Sequence, residues 1–342
     1  MDFSEYDPTT NKEELWQALE EHQQLPDAKQ WAQLASLSVA EQERLAQVWR
    51  RLPITERRRL LTTLIELAEN DFALDFSAVF TLALTDLDGQ IRAAAIQGLW
   101  EEQDVRLISQ LGHCLSEDAE EAVRLAAAQA LANFILWGEL QQISPYFFEK
   151  AYHFLLEAHR KPTETLEVRR RALESLAYVG EPEITKLIQA AYEDPAEEMQ
   201  LSAVFAMGRS ADSRWRGTVT RHLESANPAM RYEAVRACGE LAVSTAIPTL
   251  IELTQDVDAE IQQTALWALG QIGGERARRT LQRYQDSENE VLQTAAEEAL
   301  QELEFLHQDL NKFYAAPEEF NGEGELSWEE EWHPWQRPVD DI

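Results

Sequence analysis

The sequence is poor in the residues that mark several large classes of protein. Its 342 residues include 2 cysteines, 13 glycines and 12 prolines. Cys114 and Cys238 lie far apart in the chain and make neither a disulfide framework nor a zinc site, so we expect a reducing, cytoplasmic compartment. So few glycines and prolines argue against an all-β fold, which needs many tight turns.

Long apolar runs and basic residues are also scarce. No run of about 18 apolar residues occurs, and the first ten residues lack the apolar core of a secretory signal, so we expect no membrane association. Lys and Arg number 30 against 62 Asp and Glu, for a formal net charge of −32. Because phosphate binding needs a dense basic surface, we expect no nucleic-acid partner. The charge favours a protein partner with a basic face.

What the chain does have is an internal repeat. Seven apolar residues recur as anchors, and each is followed four residues later by an alanine, from Ala95 to Ala295. The anchors are Ile91, Val123, Val168, Met199, Met230, Ile261 and Val291, at spacings of 32, 45, 31, 31, 31 and 30 residues. Positions 0, +4, +5 and +8 from each anchor form the apolar stripe of a helix. The small +4 residue predicts a close crossing by a neighbouring helix.

A second amphipathic stretch follows each of these helices after a short break, as at 184–192 and 246–253. Two helices in about 31 residues make a helical hairpin, which cannot bury its apolar stripe alone. We therefore predict an all-α solenoid. Asp86 and Asp118 each lie six residues before an arginine, and we expect such pairs to tie adjacent repeats together.

The residues from Asp86 to Leu99 and from Glu260 to Gly273 resemble a HEAT repeat. The ending Ala-Leu-Gly-x-Ile-Gly at 268–273 is similar to the bacterial HEAT-like branch named after phycobilisome lyases. The resemblance covers about residues 75–305 and implies a right-handed superhelix of the armadillo-repeat type. It also implies an alternative function, a phycobilin lyase-like or chaperone-like factor that acts on a protein partner. No residue that would fix a bilin stands out.

The pattern divides the chain into three parts. We predict an N-terminal head and cap at 1–36, a solenoid at 37–315 and a disordered acidic tail at 316–342. Ser38 and Glu41 form a capping-box pattern before one helix, and Pro53 separates it from the next. Between the second and third anchors there are 14 extra residues, rich in aromatics. We expect them to lengthen the second helix and fill a wedge; the alternative is a surface binding patch.

The chemistry of an enzyme is not visible in the sequence. It has no glycine-rich phosphate loop, no Gly-x-Ser-x-Gly motif and no cysteine cluster. HEAT-like hydroxylases that hold two irons use His-Glu pairs, and none of the 7 histidines here is followed by Glu. We therefore predict no catalytic residue, no cofactor and no metal site. The favoured function is a non-enzymatic scaffold for protein–protein interaction.

Two groups of residues are candidates for protein binding. Position +6 of the first helices points away from the apolar stripe and holds Phe205, Arg236 and Trp267 in consecutive repeats. Such a row suits an interaction hot spot, although the two rings could instead pack between helices. The second group lies in the acidic tail and consists of Trp328, Trp332 and Trp335. We expect the tail to dock through them, with self-association against the arginines at 50–59 as one possibility.

Overall fold

The structure is a computed structural model that describes residues 12–21 and 28–314, and the chain is helical without strands in those ranges. The described residues form eighteen α-helices and three short 3-10 helices, connected by turns and loops. The helices are α1 (Lys12–Glu21), α2 (Ala28–Trp31), α3 (Val39–Trp49), α4 (Ile54–Asn70), α5 (Ser77–Ala83), α6 (Gly89–Gly98), α7 (Leu107–Glu117), α8 (Glu121–Glu139), α9 (Pro145–Arg160), α10 (Leu166–Leu176), α11 (Pro182–Tyr192), α12 (Glu197–Arg209), α13 (Arg216–His222), α14 (Pro228–Glu240), α15 (Ile247–Leu253), α16 (Ala259–Ile272), α17 (Glu275–Gln285) and α18 (Glu290–Tyr314).

The helices stack in two rows and form an α-solenoid. The front row consists of α4, α6, α8, α10, α12, α14, α16 and α18, and each packs against the next member of the row. The back row runs from α5 to α17, and each of its members packs against the front-row helix that follows it in sequence. One continuous set of buried apolar residues runs through both rows. The predicted all-α solenoid is therefore confirmed.

Capping residues set the starts of several helices. The side chain of Ser38 accepts a hydrogen bond from the backbone N–H of Glu41, whose carboxylate accepts one from the backbone N–H of Ser38. This is the predicted capping box, and it satisfies two backbone donors that a helix start would otherwise leave unpaired. Asp88, Thr165 and Asn227 cap front-row helices in the same way, with their side chains accepting from backbone N–H groups.

Glycines mark the closest approach between front-row helices. A Cβ atom on Gly239 would lie 3.0 Å from Cα of Ala268, and one on Gly270 would lie 2.8 Å from the carbonyl oxygen of Ala299. Each glycine lies one repeat from the next. The alanines expected at a close crossing are fully buried from Ala95 to Ala265, but the glycine column lies where the backbones meet.

The register of the last repeat differs from the prediction by one residue. Val291, the predicted anchor, is 55% exposed, whereas Leu292, Ala296 and Leu300 are buried. The anchor of α18 is therefore Leu292, and position +6 of this helix is Glu298. The error arose because α18 offers apolar residues at both 291 and 292, and only packing against α16 and α17 decides which of them faces the core.

The extra residues between the second and third anchors lengthen both helices of a pair, and not the second helix alone. Helix α8 has 19 residues and α9 has 16. Most of the aromatic side chains are packed: Phe134 meets Trp137 edge-on, and Phe148 stacks on Tyr152. Tyr146 is 68% exposed. Filling between helices therefore accounts for most of this aromatic cluster.

Arginine–carboxylate pairs connect consecutive repeats, as expected, but in a different arrangement. Arg92 donates to the backbone carbonyl of Asp86 within its own repeat, and its guanidinium pairs with the carboxylate of Asp118 in the next, at 2.7 Å. Arg231 makes the same two contacts, with the carbonyl of Ser225 and with Asp256 at 3.0 Å. Each such arginine therefore ties two repeats together.

Candidate interaction surface

The predicted row of Phe205, Arg236 and Trp267 lies on three consecutive front-row helices, α12, α14 and α16. All three side chains are half-buried. With the corrected register, the next residue of this row is Glu298 in α18. The row is flanked by two open clefts that share the side chain of Tyr232.

Arg236 is held firmly within its own surroundings. Its guanidinium carbon lies 4.1 Å from the centroid of the Phe205 ring, and Nη2 donates to the carbonyl oxygen of Phe205 at 3.3 Å. Nε donates to Glu233 at 3.0 Å and Nη1 donates to Glu240 at 2.5 Å. A cation over a ring and between two carboxylates combines a cation–π contact with charge-assisted hydrogen bonds. The Arg236 side chain is therefore a structural tie between α12 and α14.

A second arginine, Arg209, also lies over the ring of Phe205. The guanidinium carbon of Arg209 lies 5.5 Å from the Phe205 centroid and 5.8 Å from that of Tyr178. Its Nε lies 3.2 Å from Oε1 of Glu240. Arg209 and Arg236 thus share Glu240, and their positive charges are largely compensated within the chain.

The two glutamates of this cluster are less acidic than usual. Burial raises the pKa of Glu233, although the charge of Arg236 opposes the shift. Burial likewise raises the pKa of Glu240 against the opposing charges of Arg236 and Arg209. The Oε2 atom of Glu240 is buried without a hydrogen-bond partner in the described chain. Because a buried carboxylate is costly unless its charge is paired, this cluster depends on its two arginines.

Trp267 differs from Phe205 in what covers it. One edge of its indole lies against α14, where a Cβ on Gly239 would come within 2.7 Å of Cζ3. The indole also borders a cleft of about 460 Å³ towards α18. Over the part of the chain that the structure describes, no cation stacks on this ring. Glu298 and Glu302 of α18 line the cleft as exposed side chains.

The second cleft lies on the other side of Tyr232 and has a volume of about 380 Å³. The rings of Phe205 and Tyr232 line it, together with four acidic side chains and one arginine: Glu174, Glu233, Asp258, Glu260 and Arg170. Arg170 donates to the hydroxyl of Ser202 at 2.9 Å, and that hydroxyl donates to Glu174 at 2.6 Å. Both clefts therefore combine aromatic surface with excess negative charge.

The structure places the three predicted residues on neighbouring front-row helices, and their role in protein binding stays a prediction. Each ring packs partly between helices, as the alternative had it, and each also lines a cleft. The prediction missed Tyr232, Glu298 and Glu302. The repeat gave a signal for Tyr232, since it lies one helical turn before Arg236 and therefore on the same face of α14. Glu298 was missed because of the register error. Trp328, Trp332 and Trp335 lie outside the described residues.

A third cleft, of about 480 Å³, lies far along the chain between the α4–α5 loop and α6. Phe72 and Trp100 line it and are 83% and 56% exposed. Its polar lining is acidic as well, with Glu69, Asp75 and Glu101 among the residues. The acidic, aromatic character is therefore shared by surfaces at two separate places on the solenoid.

The described histidines have separate structural environments. His159 is buried, its Nδ1 lies 2.9 Å from the carbonyl oxygen of Arg169, and burial lowers its pKa. Nε2 of His222 lies 2.7 Å from the hydroxyl of Tyr192. Among the residues that the structure describes, no group of three or more His, Cys, Asp or Glu side chains is arranged to hold a metal ion.

Comparison with known families finds HEAT repeats at residues 217–301, which include α14 and α16. A deoxyhypusine hydroxylase of Cryptococcus neoformans var. neoformans serotype D is 27% identical over 113 residues. The match spans 31% of this chain and 31% of that protein. No helix in the described part of the chain is both long and apolar enough to cross a membrane.

Solved structures resemble the chain at low sequence identity. Human deoxyhypusine hydroxylase in complex with glycerol is 19% identical, with a TM-score of 0.34, and the match covers 78% of this chain and 96% of that one. Importin beta is 14% identical, with a TM-score of 0.47, and the match covers 86% of this chain and 47% of that one. The α-solenoid assignment itself follows from the two rows of paired helices.

Proposed function

We propose that this chain is a non-enzymatic scaffold that binds a protein partner on the exposed face of α12, α14, α16 and α18. The observation that carries the proposal is the pair of clefts on either side of Tyr232. They present the rings of Phe205 and Trp267 beside uncompensated carboxylates. Aromatic side chains in partly desolvated clefts are typical anchors of protein interfaces.

The charge of the chain supports a partner with a basic face. A net charge of −32 attracts such a partner and accelerates its association at low salt. The same charge disfavours nucleic acid and anionic membranes.

The two free cysteines are buried, and burial raises the pKa of the Cys238 thiol to about 12, so neither is suited to act as a nucleophile. Because the two cysteines form no disulfide framework, we place the scaffold in a reducing, cytoplasmic compartment.

The other activities have less support. The partial likeness to a deoxyhypusine hydroxylase covers about a third of either chain, and none of the 7 histidines is followed by Glu. The phycobilin lyase-like alternative rests on the ending of the repeat alone. Neither has a specific observation in its favour.

The first prediction tests the surface directly. The full chain and its Trp267→Ala variant are used as baits in a lysate of the native organism, with Tyr146→Ala as a matched control. Tyr146 is also an exposed aromatic residue but lies on α9, away from the two clefts. We expect a partner that binds the wild type and the control to lose most of its binding to Trp267→Ala, measured by quantitative mass spectrometry. Equal capture by all three baits would contradict the proposed surface.

A further inference from the structure

Two aromatic side chains, Phe205 and Trp267, occupy equivalent positions of the repeat, but an arginine stacks only on Phe205 among the described residues. Phe205 occupies position +6 of α12, and Arg236, at +6 of the helix that follows in the front row, stacks on its ring. Glu240 lies one turn beyond Arg236 and pairs with its guanidinium. The arrangement therefore consists of a ring, an arginine on the ring and a glutamate that holds the arginine.

Two helices further along the front row, the same arrangement lacks its arginine. Trp267 occupies position +6 of α16, and α18 supplies Glu298 and Glu302 in the positions that Arg236 and Glu240 hold in α14. Among the described residues, neither glutamate has an ion pair and no cation covers the indole. Trp267 therefore corresponds to Phe205 and Glu302 corresponds to Glu240, but Glu298 occupies the position of Arg236.

The cleft between these residues has room for a side chain from outside. Its volume of about 460 Å³ is open to solvent, and it is bordered by Trp267 on one side and by the two glutamates on the other. Its two bases, Arg209 and Arg236, are already held by Glu240 and Glu233. The cleft is therefore left with uncompensated negative charge next to an aromatic face.

We propose that this cleft binds an arginine side chain of a partner protein, with the guanidinium stacked on Trp267 and paired with Glu298 and Glu302. The inference rests on the proposed scaffold function and specifies what the surface takes from its partner. A planar guanidinium can stack on an indole and donate to two carboxylates at once, which the compact ammonium of lysine does less well. The tail of the chain itself is a poor occupant, because its single base, Arg337, lies among nine acids.

The test uses the full chain and a ten-residue peptide of glycine and serine that carries three arginines. The indole N–H signal of Trp267 is assigned in a proton–nitrogen spectrum by its loss in Trp267→Phe, and its shift is followed during the titration. We expect saturable shifts of this signal, about threefold weaker binding of the peptide with lysines, and no shift with citrullines. Equal binding of the lysine and arginine peptides would overturn the assignment to arginine.

A second test places an arginine of the chain itself in the cleft. In Glu298→Arg the new side chain stands to Trp267 and Glu302 as Arg236 stands to Phe205 and Glu240, so it should occupy the site itself. We expect roughly a tenfold loss of affinity for the arginine peptide. Glu304→Arg changes the charge by the same amount on an exposed position of the same helix, outside the cleft, and should lose about twofold or less.

Besides equal binding of the two peptides, three outcomes overturn the inference: a Trp267 signal that does not move, equal losses in the two arginine variants, or no loss in Glu298→Arg. These outcomes are separate from failure of the scaffold function. If a partner is captured through the Trp267 surface but the peptide does not shift Trp267, the function stands and the arginine site is wrong. If the peptide binds as expected but no partner is lost in Trp267→Ala, the site stands and the scaffold function is wrong.

Discussion

At the scale of single residues, the front row depends on positions where any side chain would be too large. Gly208, Gly239 and Gly270 recur one repeat apart, and a Cβ on each would collide with the following front-row helix. Ala211, Ala242 and Gly273 also recur one repeat apart, and each ends or follows a front-row helix with a positive φ. The repeat is thus specified by small residues as much as by its apolar stripe.

Gly270→Ala should test this directly. The new methyl group would lie 2.8 Å from the backbone oxygen and 2.9 Å from Cβ of Ala299, so α16 and α18 must move apart. Overpacking should cost about 1–3 kcal/mol, against roughly 1 kcal/mol gained in helix propensity, so we expect the free energy of unfolding to fall by up to about 2 kcal/mol. Urea unfolding followed by circular dichroism measures the change.

Gly217→Ala is the control, because nothing lies within 4 Å of a Cβ at this helical position. It should leave the stability unchanged or raise it by up to about 1 kcal/mol. A loss at Gly217 as large as that at Gly270 would show that the close approach of α16 and α18 does not explain the effect.

At the scale of helices and repeats, the arginine–carboxylate pairs that connect consecutive repeats, here called the ladder, make the stability of the fold depend on pH. Burial opposes ionisation of Asp256, but hydrogen bonds from Arg231 and from the backbone N–H of Asp258 outweigh it and lower its pKa below the usual 3.8. A carboxyl group with a lowered pKa in the folded state stabilises the fold above about pH 4. This contribution is lost as the pH falls from there towards the folded pKa, because the unfolded chain binds the proton first.

Asp256→Asn should therefore cost about 1–3 kcal/mol at pH 7, since Arg231 loses the partner of a mostly buried pair. The difference from the wild type should shrink at pH 3. Glu275→Gln breaks the exposed pair with Arg279 within α17 and should cost less than about 0.5 kcal/mol at either pH. Urea unfolding at both pH values provides the comparison, and an Asp256→Asn cost that is the same at pH 3 and pH 7 would contradict the assigned ladder.

Much of the fold could be predicted at this scale, and the reasons are local. Ser38 and Pro53 fix the boundaries of α3 and α4, because a capping side chain and a missing N–H act within one turn. The register of α18 could not be read in the same way, because Val291 and Leu292 are both apolar and only their neighbours distinguish them. The site was harder still, since the sequence places Arg236 in a row but does not show that its guanidinium turns back onto Phe205.

At the scale of the whole molecule, the acid excess is distributed unevenly. The repeats use many of their arginines internally: Arg57 is buried and hydrogen-bonded to Asp86, which also accepts from the indole of Trp49 at 2.7 Å. Arg58 pairs with Asp88. In the arginine group at 50–59, which we expect to receive the tail, Arg50, Arg51 and Arg59 are exposed. Arg58 is exposed as well, but its guanidinium is already paired with Asp88. We therefore expect the tail to contact this group mainly through Arg50, Arg51 and Arg59.

The last prediction concerns residues 316–342, which carry nine acids, one base and three tryptophans. Their composition gives no core of their own, whereas each tryptophan gains roughly 1.5–3 kcal/mol when it is buried. Truncation after Ala315 should leave the helical signal and the melting temperature nearly unchanged and abolish self-association in sedimentation velocity. Replacing Trp328, Trp332 and Trp335 by serine should have the same effect, because it removes the buried surface and keeps the charge.

Replacing Arg50, Arg51 and Arg59 by glutamine should weaken the association as well, since these exposed guanidinium groups would face the tail's acids. The same change at Arg276, Arg279 and Arg283 on α17 removes an equal charge elsewhere and should leave it intact. Because exposed charges are screened beyond about 8 Å at 0.15 M salt, the association should also weaken as salt rises. If the full chain sediments as a monomer throughout, or if truncation leaves an oligomer unchanged, the tail does not mediate contact between copies, and its tryptophans must be sought on a partner.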